Sequence, residues 1–516
     1  MSEIVDQAVK FDLPGPDYED VTWLHNEHGA ASSSPLSRTV GGGMMGPEKN
    51  EGLPERIHVN SFAYSRSDEW PPSSTLPGHL RDVDLPKDDS NLLDWQTRCL
   101  PLVEEVVSEI AAFDPDTVSD GDWKSVIDEH QKRIGEAMRL VHSSAVFEAQ
   151  MFSETFVAQY IREFGPARQA EGLALLQGFP NVSTDRAASL WDLGRISRQS
   201  PSVMTALESG VLPSGESQHE VEFRSGFKSA MDTYGHMNPL MMEDMPTWIE
   251  DVRVPLAIIR QYSTEGDDRS PRKLEQASRS RRIKLESQLV NSASTSKAVV
   301  ELLNLLPYAQ HIGAVTEDHN LLADQKVGNA SRQRWLKVGH MLSQRGKLKD
   351  LNDVFYYEYC ELLQLLENGM TLSALEIATR RDQLELWRTV IPPAVLGKGA
   401  VVKEKAVPGT VVTGMAAAAG TYTGRARVIT VVTEAKSLEE GDVLVCDLTT
   451  PSWTPYFAVI GAVVTNIGSI LAHGAIVARE FGIPAVVATG DGTVKIPDGA
   501  TVRVDGAAGT VTVVSI

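Results

Sequence analysis

The stretch that decides the fold of this chain is Thr465-Asn-Ile-Gly-Ser-Ile-Leu-Ala-His-Gly-Ala-Ile-Val-Ala-Arg-Glu-Phe-Gly-Ile-Pro-Ala-Val-Val487. Its pattern predicts a strand, a glycine loop, a helix and a second strand, with His473 on the first turn of the helix. At that position the helix dipole and the unpaired backbone N–H groups disfavour an imidazolium and favour an anion. We therefore expect a neutral, nucleophilic imidazole at an exposed helix start. The alternative is an ordinary surface or N-cap histidine.

The flanking segments extend this pattern to a small α/β domain over residues 409–516. Residues 443–445 predict a short buried strand. Thr450 is a suitable N-cap, and Pro451 suits the first position of the helix that follows. Residues 492–514 predict short strands separated by Pro/Asp/Gly turns.

Together these segments resemble the phosphohistidine domain of phosphoenolpyruvate synthase, pyruvate phosphate dikinase and rifampicin phosphotransferase. The resemblance implies a swivelling domain that carries a phosphoryl group on His473. Two positions depart from the family pattern: Ser469 replaces the second glycine of a common pair, and Ala472 replaces the Ser or Thr that usually precedes the histidine. The nucleophile itself is retained.

Composition limits the classes of partner. The chain has 516 residues, enough for two or three domains, and a net charge of -21, which argues against nucleic acid or an anionic membrane surface. Its three cysteines show no metal spacing or pairing pattern. The N-terminus lacks a signal-peptide pattern, and no apolar run approaches the ~20 residues that span a bilayer. We expect a soluble, cytoplasmic protein.

The chain divides into four parts by pattern. Residues 1–90 are rich in Pro, Gly and Ser and predict an irregular part of the domain that follows. Residues 91–392 show strong helical periodicity, residues 393–408 read as a linker, and residues 409–516 form the terminal domain. The expected fold is thus a mainly α-helical domain followed by a C-terminal α/β swivelling domain.

The helical part carries a second, weaker resemblance. Residues 334–357, the segment 234–239 and the opening segment 23–36 resemble the acceptor-binding domain of rifampicin phosphotransferases. Met237 stands where that family usually has Arg, so substrate contacts are not transferred directly at this position. The resemblance implies an acceptor-binding role for residues 91–392.

The source of the phosphoryl group follows from a further resemblance. No segment resembles an ATP-grasp domain, a Walker-type loop or the phosphoenolpyruvate-binding barrel of the dikinases. The chain resembles the histidine-bearing subunit of phenylphosphate synthase and of 4-methylphenol phosphorylating systems. This implies that ATP and Mg²⁺ are bound mainly by a separate ATP-grasp subunit. Whether phosphoenolpyruvate replaces ATP as donor stays open.

The acceptor site is predicted around residues 234–245. His236 is the candidate base for the acceptor hydroxyl, because a neutral imidazole takes a proton near pH 7. Tyr234, Met237, Met241 and Glu243 are candidates for substrate binding, since methionines adapt to aromatic surfaces. Ordinary packing is the alternative for each of these residues. The histidine spacing predicts no zinc or other metal site.

Three functions are compatible with these patterns. The first is an ATP-dependent phosphotransferase subunit that passes the phosphoryl group from His473 to a small, aromatic hydroxyl compound such as a phenol or cresol. The second is a rifamycin-type antibiotic phosphotransferase whose ATP domain is encoded separately. The third is a regulatory phosphocarrier. The long helical region argues against the third, because a carrier needs only the terminal domain.

Overall fold

The structure is a computed structural model that describes residues 10–25, 33–40, 55–66, 95–238, 241–292, 296–313, 315–390, 392–393, 395–398, 407–429, 432–470 and 472–516. Helices dominate up to residue 388, and strands dominate from residue 411 onward. The predicted fold class, a helical domain followed by a C-terminal α/β domain, is confirmed.

A small antiparallel sheet lies at the N-terminal end of the chain. Its strands are β1 (Thr22–His25), β2 (Arg56–Val59), β3 (Phe62–Arg66) and β4 (Val395–Gly397), in the order β2-β3-β1-β4. Trp23, Tyr64 and Leu396 form part of its buried core. A short helix, α1 (Pro35–Thr39), follows β1.

This sheet corrects two expectations. Residues 1–90 were expected to be irregular, yet they contribute three paired strands. The predicted linker at 393–408 begins with β4, whose backbone pairs with β1 and is therefore part of a folded unit. Strands of three to five residues are too short for periodicity to detect. Residues 399–406 of the predicted linker lie outside the described part of the chain.

The helical region between residues 95 and 388 confirms the predicted periodicity. Its α-helices are α2 (Leu100–Ala112), α3 (Trp123–Leu140), α4 (Phe147–Phe164), α5 (Gln169–Ala174), α6 (Val182–Arg198), α7 (Pro201–Glu208), α8 (Gln218–Tyr234), α9 (Arg253–Thr264), α10 (Pro271–Ser292), α11 (Lys297–Gly313), α12 (Val315–His319), α13 (Lys326–Gln344), α14 (Tyr359–Asn368) and α15 (Ala374–Arg388). Side-chain caps fix several of their starts: Asn181 accepts from the Thr184 N–H at α6, and Ser217 forms a capping box with Glu220 at α8.

Besides Trp95–Cys99, which precedes α2, two π-helical segments interrupt the described part of this region. They are Val141–Val146, between α3 and α4, and Asn320–Gln325, between α12 and α13. A π turn inserts one residue into the helical repeat, and this changes the direction in which the neighbouring side chains point. Both segments lie next to His319, which is the last residue of α12.

The C-terminal domain is built on an eight-stranded mixed sheet. Its strands are β5 (Val411–Thr413), β6 (Met415–Ala418), β7 (Thr421–Val428), β8 (Val443–Cys446), β9 (Ala462–Thr465), β10 (Ala485–Val487), β11 (Thr501–Asp505) and β12 (Thr510–Ser515), in the order β5-β12-β11-β7-β8-β9-β10-β6. The central strands β7 to β10 are parallel. The predicted strand–loop–helix–strand unit is confirmed as β9, α16 (His473–Glu480) and β10.

One part of the terminal domain differs from the prediction. Residues 492–514 were expected to form only strands, but they begin with a short helix, α17 (Gly492–Lys495). Gly492 donates its N–H to Thr489 Oγ1, and Thr493 donates its N–H to Asn466 Oδ1. These side-chain acceptors satisfy N–H groups at the helix start, which strand periodicity does not reveal.

One hydrophobic cluster runs across both domains. It combines Trp191, Tyr262 and Leu321 of the helical domain with Phe457 and Val477 of the C-terminal domain, among other residues. The other face of the C-terminal sheet packs into a separate core of valines and alanines. The swivelling domain is therefore seated on the helical domain through an apolar contact. No helix among the described residues is both long enough and apolar enough to cross a membrane.

Candidate active site

His473 lies at the first position of α16, as predicted, with Ala472 in an extended conformation at the N-cap. Its side chain is not exposed, however: only 8% of it is accessible, because the helical domain covers the helix start. The sequence predicted the helix, but it did not predict that the helical domain covers the start of that helix. The expectation of an exposed helix start is therefore wrong for this arrangement of the two domains.

Glu317 of α12 faces the histidine across the domain boundary. His473 Nδ1 lies 2.9 Å from Glu317 Oε2 and 3.2 Å from Glu317 Oε1. The Glu317 side chain is 2% exposed and also accepts a hydrogen bond from Ser183 Oγ at 3.0 Å. A carboxylate can only accept from the ring, so this contact places a hydrogen on Nδ1 and the lone pair on Nε2.

The second ring nitrogen faces a hydroxyl. Thr454 Oγ1 lies 3.2 Å from His473 Nε2, and Thr454 is fully buried in the 3-10 helix Pro451–Ala458. With Nδ1 protonated, the hydroxyl donates to the Nε2 lone pair. The contact identifies Nε2 as the nitrogen with nucleophilic character.

Close packing brings the loop after β8 against the start of α16. A Cβ added to Gly474 would lie 2.3 Å from Thr449 Oγ1, so a residue larger than glycine would displace this loop. Thr449 Oγ1 and Thr450 Oγ1 are buried and have no hydrogen-bond partner among the described residues. The Thr449 hydroxyl, unsatisfied and next to the start of α16, is suited to an anion oxygen.

Polar contacts join the domains around this centre. Glu480, at the end of α16, accepts a hydrogen bond from the Gly178 N–H at 3.0 Å, and burial raises the pKa of its carboxyl to about 7. Arg269 donates to the carbonyls of Ala458 at 2.6 Å and Ile460 at 2.9 Å. Polar contacts of this kind stabilise one docked position of the C-terminal domain. When that domain undocks, water readily replaces them.

The N-terminal sheet also reaches the C-terminal domain. His25 Nδ1 of β1 lies 3.1 Å from Asp447 Oδ2, which follows β8. Asn466 Nδ2 donates to the other oxygen, Asp447 Oδ1, at 3.0 Å. The described part of the sheet thus contributes to holding the domain in place.

The structure places His236 just beyond the end of α8, partly buried. Its Nε2 lies 3.2 Å from the Leu321 carbonyl oxygen, and burial lowers its pKa. Because a carbonyl only accepts, Nε2 carries the hydrogen and Nδ1 is the acceptor nitrogen. A neutral ring with one free acceptor fits the proposed base and also fits a packing residue.

Tyr234 and Met237 pack in the cluster that extends to the C-terminal domain. Burial raises the pKa of the Tyr234 hydroxyl. Met237 is fully buried, and its sulfur lies 3.2 Å from Arg186 Nη1, where the guanidinium also faces the Trp248 ring. Arg186 is electrostatically coupled to Glu317, which links this loop to the partner of His473.

Met241 and Glu243 lie on the far side of the same loop. Met241 has a positive φ of 58°, an unusual conformation for a non-glycine residue, and is partly exposed. Glu243 accepts a hydrogen bond from Ser37 Oγ of α1 at 3.3 Å, and burial raises the pKa of its carboxyl. Tyr234 and Met237 thus share an apolar cluster with residues of the C-terminal domain, whereas the contacts of Glu243 are directed to α1 and α13.

Sequence reasoning missed Glu317, Thr454 and Asp447. Glu317 lies 156 positions from His473, and no local pattern distinguishes it from other helix carboxylates. Thr454 lies three residues after Pro451, in the helix that the sequence predicted, but nothing in the local pattern distinguishes it from its neighbours.

This fold and site define a class of protein in which a small α/β domain holds a histidine at a helix start and is seated on a separate helical domain. Residues 438–509 match the family described as PEP-utilising enzyme, mobile domain. Residues 142–314 match the fourth domain of rifampicin phosphotransferase. The predicted resemblance to the phosphohistidine family is confirmed, and the chain carries a mobile domain of this type.

Curated relatives match different shares of this chain. A chondramide synthase of Chondromyces crocatus is 32% identical over 66% of this chain and 10% of its own length. A rifampicin phosphotransferase of Streptomyces sviceus is 26% identical over 76% of this chain and 46% of its own length. A phosphoenolpyruvate synthase of Aeropyrum pernix is 51% identical over 21% of this chain and 14% of its own length. The chain spans less than half the length of each of these relatives.

Proposed function

We propose that the chain carries a phosphoryl group on His473 Nε2 and transfers it to a hydroxyl compound bound by the helical domain. The observation that supports this most directly is the contact between His473 Nδ1 and Glu317, which leaves Nε2 as the nucleophile. The match of this domain to the mobile domain of PEP-utilising enzymes supports the same chemistry.

In the first half-reaction, the Nε2 lone pair of His473 forms a bond to phosphorus while the bond from phosphorus to the donor's leaving oxygen breaks. In this proposal the start of α16 and the hydroxyl of Thr449, which lies beside Gly474, bind the phosphoryl oxygens. Thr454, which donates to Nε2 in the resting arrangement, turns its hydroxyl away from that nitrogen.

The second half-reaction explains the role of Glu317. The acceptor oxygen attacks phosphorus, the P–N bond breaks, and its electron pair returns to Nε2. With a hydrogen held on Nδ1, the departing ring is a neutral imidazole; without it, the ring would leave as an unfavourable anion. Seating the domain on Glu317 therefore activates the phosphohistidine for transfer.

The acceptor's proton needs a destination. His236 Nδ1 is the candidate, because its Nε2 is committed to the Leu321 carbonyl and its lowered pKa keeps the ring neutral. Tyr234 and Met237 lie in the cluster that extends to the mobile domain and are the candidates for contact with an aromatic acceptor. A phenol or cresol fits this chemistry, because its hydroxyl loses a proton more readily than that of an aliphatic alcohol.

The donor is proposed to be ATP with Mg²⁺, bound by an ATP-grasp unit on another chain. By analogy with the phosphohistidine family, the β-phosphoryl group reaches His473 and the nucleotide leaves as AMP. No described segment supplies a glycine-rich loop with the Lys or Arg cluster that a polyphosphate needs.

A second candidate function has a specific observation in its favour. Residues 142–314 match a rifampicin phosphotransferase domain, and relatives that cover most of this chain carry that name. A rifamycin-type antibiotic is therefore an equally consistent acceptor. Its hydroxyl would meet the same Nε2 phosphoryl group, and only the pocket that binds the acceptor would differ.

One experiment separates these acceptors. The full chain is incubated with ATP, Mg²⁺ and an ATP-grasp subunit, together with phenol, 4-methylphenol, rifampicin or an aliphatic alcohol. Formation of AMP that depends on a phenol supports the first function, and formation that depends on rifampicin supports the second. AMP formation that no acceptor stimulates, with phosphate retained on the protein, would contradict both.

A further inference from the structure

Three side chains that form no sequence motif lie close together at the C-terminal end of α12, the helix that carries Glu317. They are His142 on the first π-helical segment, His319 at the end of α12, and Asp324 on the second π-helical segment. The ligand atoms that they offer all lie within 4.8 Å of one another. The two π turns bring residues from opposite ends of the helical region to one point.

Both imidazoles are oriented by main-chain carbonyl groups. His142 Nδ1 lies 2.8 Å from the Met138 carbonyl oxygen, and His319 Nδ1 lies 3.1 Å from the Val315 carbonyl oxygen. Each carbonyl only accepts, so each Nδ1 carries a hydrogen and each Nε2 presents a lone pair. This arrangement, with one ring nitrogen bonded to a backbone carbonyl, is the one that metal-bound histidines commonly show.

The Nε2 atoms of both rings face the Asp324 carboxylate. His142 Nε2 lies 3.7 Å from Asp324 Oδ1, and His319 Nε2 lies 3.8 Å from Asp324 Oδ2. A metal ion bound at about 2.0–2.2 Å by nitrogen and oxygen holds its ligand atoms about 3–3.5 Å apart. The two His–Asp separations are larger by a few tenths of an ångström, and the three ligand atoms together lie within 4.8 Å, so side-chain rotations are needed to close the site.

The burial and charge of the groups around this cluster favour a bound cation. The side chains of Asp324 and His319 are 3% and 5% exposed, and Asp324 Oδ1 accepts no hydrogen bond among the described residues. Its ion-pair partners in the described part of the chain are these two imidazoles alone. A positive charge between the two imidazoles and the buried carboxylate stabilises this group, and a bound metal ion or a ring proton supplies that charge.

We propose that His142, His319 and Asp324 bind a divalent transition-metal ion of the zinc class. Two neutral imidazoles and one carboxylate form a donor set that suits Zn²⁺ or Co²⁺ better than Mg²⁺ or Ca²⁺, which prefer oxygen ligands. His142, 16% exposed, lies on the more open side, where a fourth ligand enters. The ion ties α12 to both π-helical segments and so fixes the helix that presents Glu317 to His473.

The site is tested on the full chain with Co²⁺ as the probe. The protein is stripped with a chelator and titrated with Co²⁺, and bound metal is followed by its visible absorption and by direct metal analysis. We expect one equivalent to bind with the intense visible bands of a low-coordinate site, and Zn²⁺ to displace it. The variants His142→Ala and Asp324→Asn should weaken binding by about 10²-fold or more.

The matched control is His130→Ala, which removes a partly buried histidine that packs edge-on against Phe113. It should leave Co²⁺ binding unchanged, and helical circular dichroism checks that each variant is folded. Absence of Co²⁺ bands in the unaltered protein would overturn the proposal, as would equal binding by folded Asp324→Asn. Neither result depends on phosphoryl transfer, so this site and the proposed function fail independently.

Discussion

His473 Nδ1 lies 2.9 Å from the carboxylate of Glu317, and these two residues belong to different domains. The contact exists only while the mobile domain is seated on the helical domain. In the proposed function it sets the tautomer of the nucleophile, and the phosphoryl group leaves histidine in the docked position.

Removing the charge of Glu317 should slow that step selectively. In Glu317→Gln, the amide no longer holds the Nδ1 hydrogen with a negative charge, so transfer from phosphohistidine to the acceptor should fall by about 10²-fold or more. Phosphorylation of His473 by the donor subunit should change much less, because it takes place at another site. Single-turnover measurements of the two half-reactions give the two rates.

The control for this variant is Glu301→Gln, a change at an exposed carboxylate on α11 that should leave both rates unchanged. A Glu317→Gln protein that transfers at the normal rate would show that the contact has no role in the reaction. Equal slowing of both half-reactions would point to a defect in folding or docking.

His236 should affect the same half-reaction for a different reason. In His236→Ala no base takes the acceptor's proton, so transfer to a phenol should slow by about 10²-fold while phosphorylation of His473 is retained. The exposed His340 on α13 provides the matched control, His340→Ala. If the rate of neither half-reaction falls, His236 is a packing residue that contacts the Leu321 carbonyl.

Docking of the mobile domain should weaken as pH rises. In the docked state the Glu480 carboxyl has a pKa of about 7, above its ordinary value of 4.5, because burial disfavours its charged form. Its contribution to docking is therefore full below pH 4.5 and is lost progressively up to about pH 7. A pair of fluorescent labels, one on each domain, should report a docked fraction that decreases across this range.

The variant Glu480→Gln keeps an oxygen for the Gly178 N–H and cannot ionise. Its docked fraction should be independent of pH between 4.5 and 7, and at pH 7.5 docking should be about tenfold or more stronger than in the unaltered protein. A pH dependence that persists in this variant would assign it to other groups.

The chain alone should not hydrolyse ATP. The described residues lack a polyphosphate cradle, so AMP should form only when an ATP-grasp subunit and Mg²⁺ are added. Chromatographic detection of AMP checks this, and phosphoenolpyruvate serves as the alternative donor in a parallel reaction. Substantial AMP formation by the purified chain would place the nucleotide site on this chain.

Local pattern was sufficient to predict the unit that carries His473. The strand β9, the helix α16 and the strand β10 follow one another within 26 residues, so periodicity, glycines and a helix start were visible together. The long helices of residues 95–388 were predictable for the same reason. The strands β1 to β4 were not, because each has only three to five residues and β1 pairs with β4 from more than 300 positions away.

Contacts between residues that lie far apart in the chain could not be predicted from the sequence. Glu317 resembles any acidic residue of a helix until the domains are seated together, and His142 and Asp324 meet only because two π-helical segments turn toward each other. The histidine spacing predicted no metal site, since the three side chains of that cluster span 183 positions of the chain. Tertiary placement, and not residue type, creates both groups.

The central claim is that Nε2 of His473 carries the phosphoryl group. The full chain is treated with phosphoramidate, a small phosphoryl donor that needs no partner subunit, and the product is examined by ³¹P NMR and tandem mass spectrometry. We expect one acid-labile, alkali-stable phosphoryl group on His473, bonded at Nε2, and none in His473→Ala. The same label in His473→Ala, or a phosphoryl group bonded at Nδ1 of His473, would contradict the account.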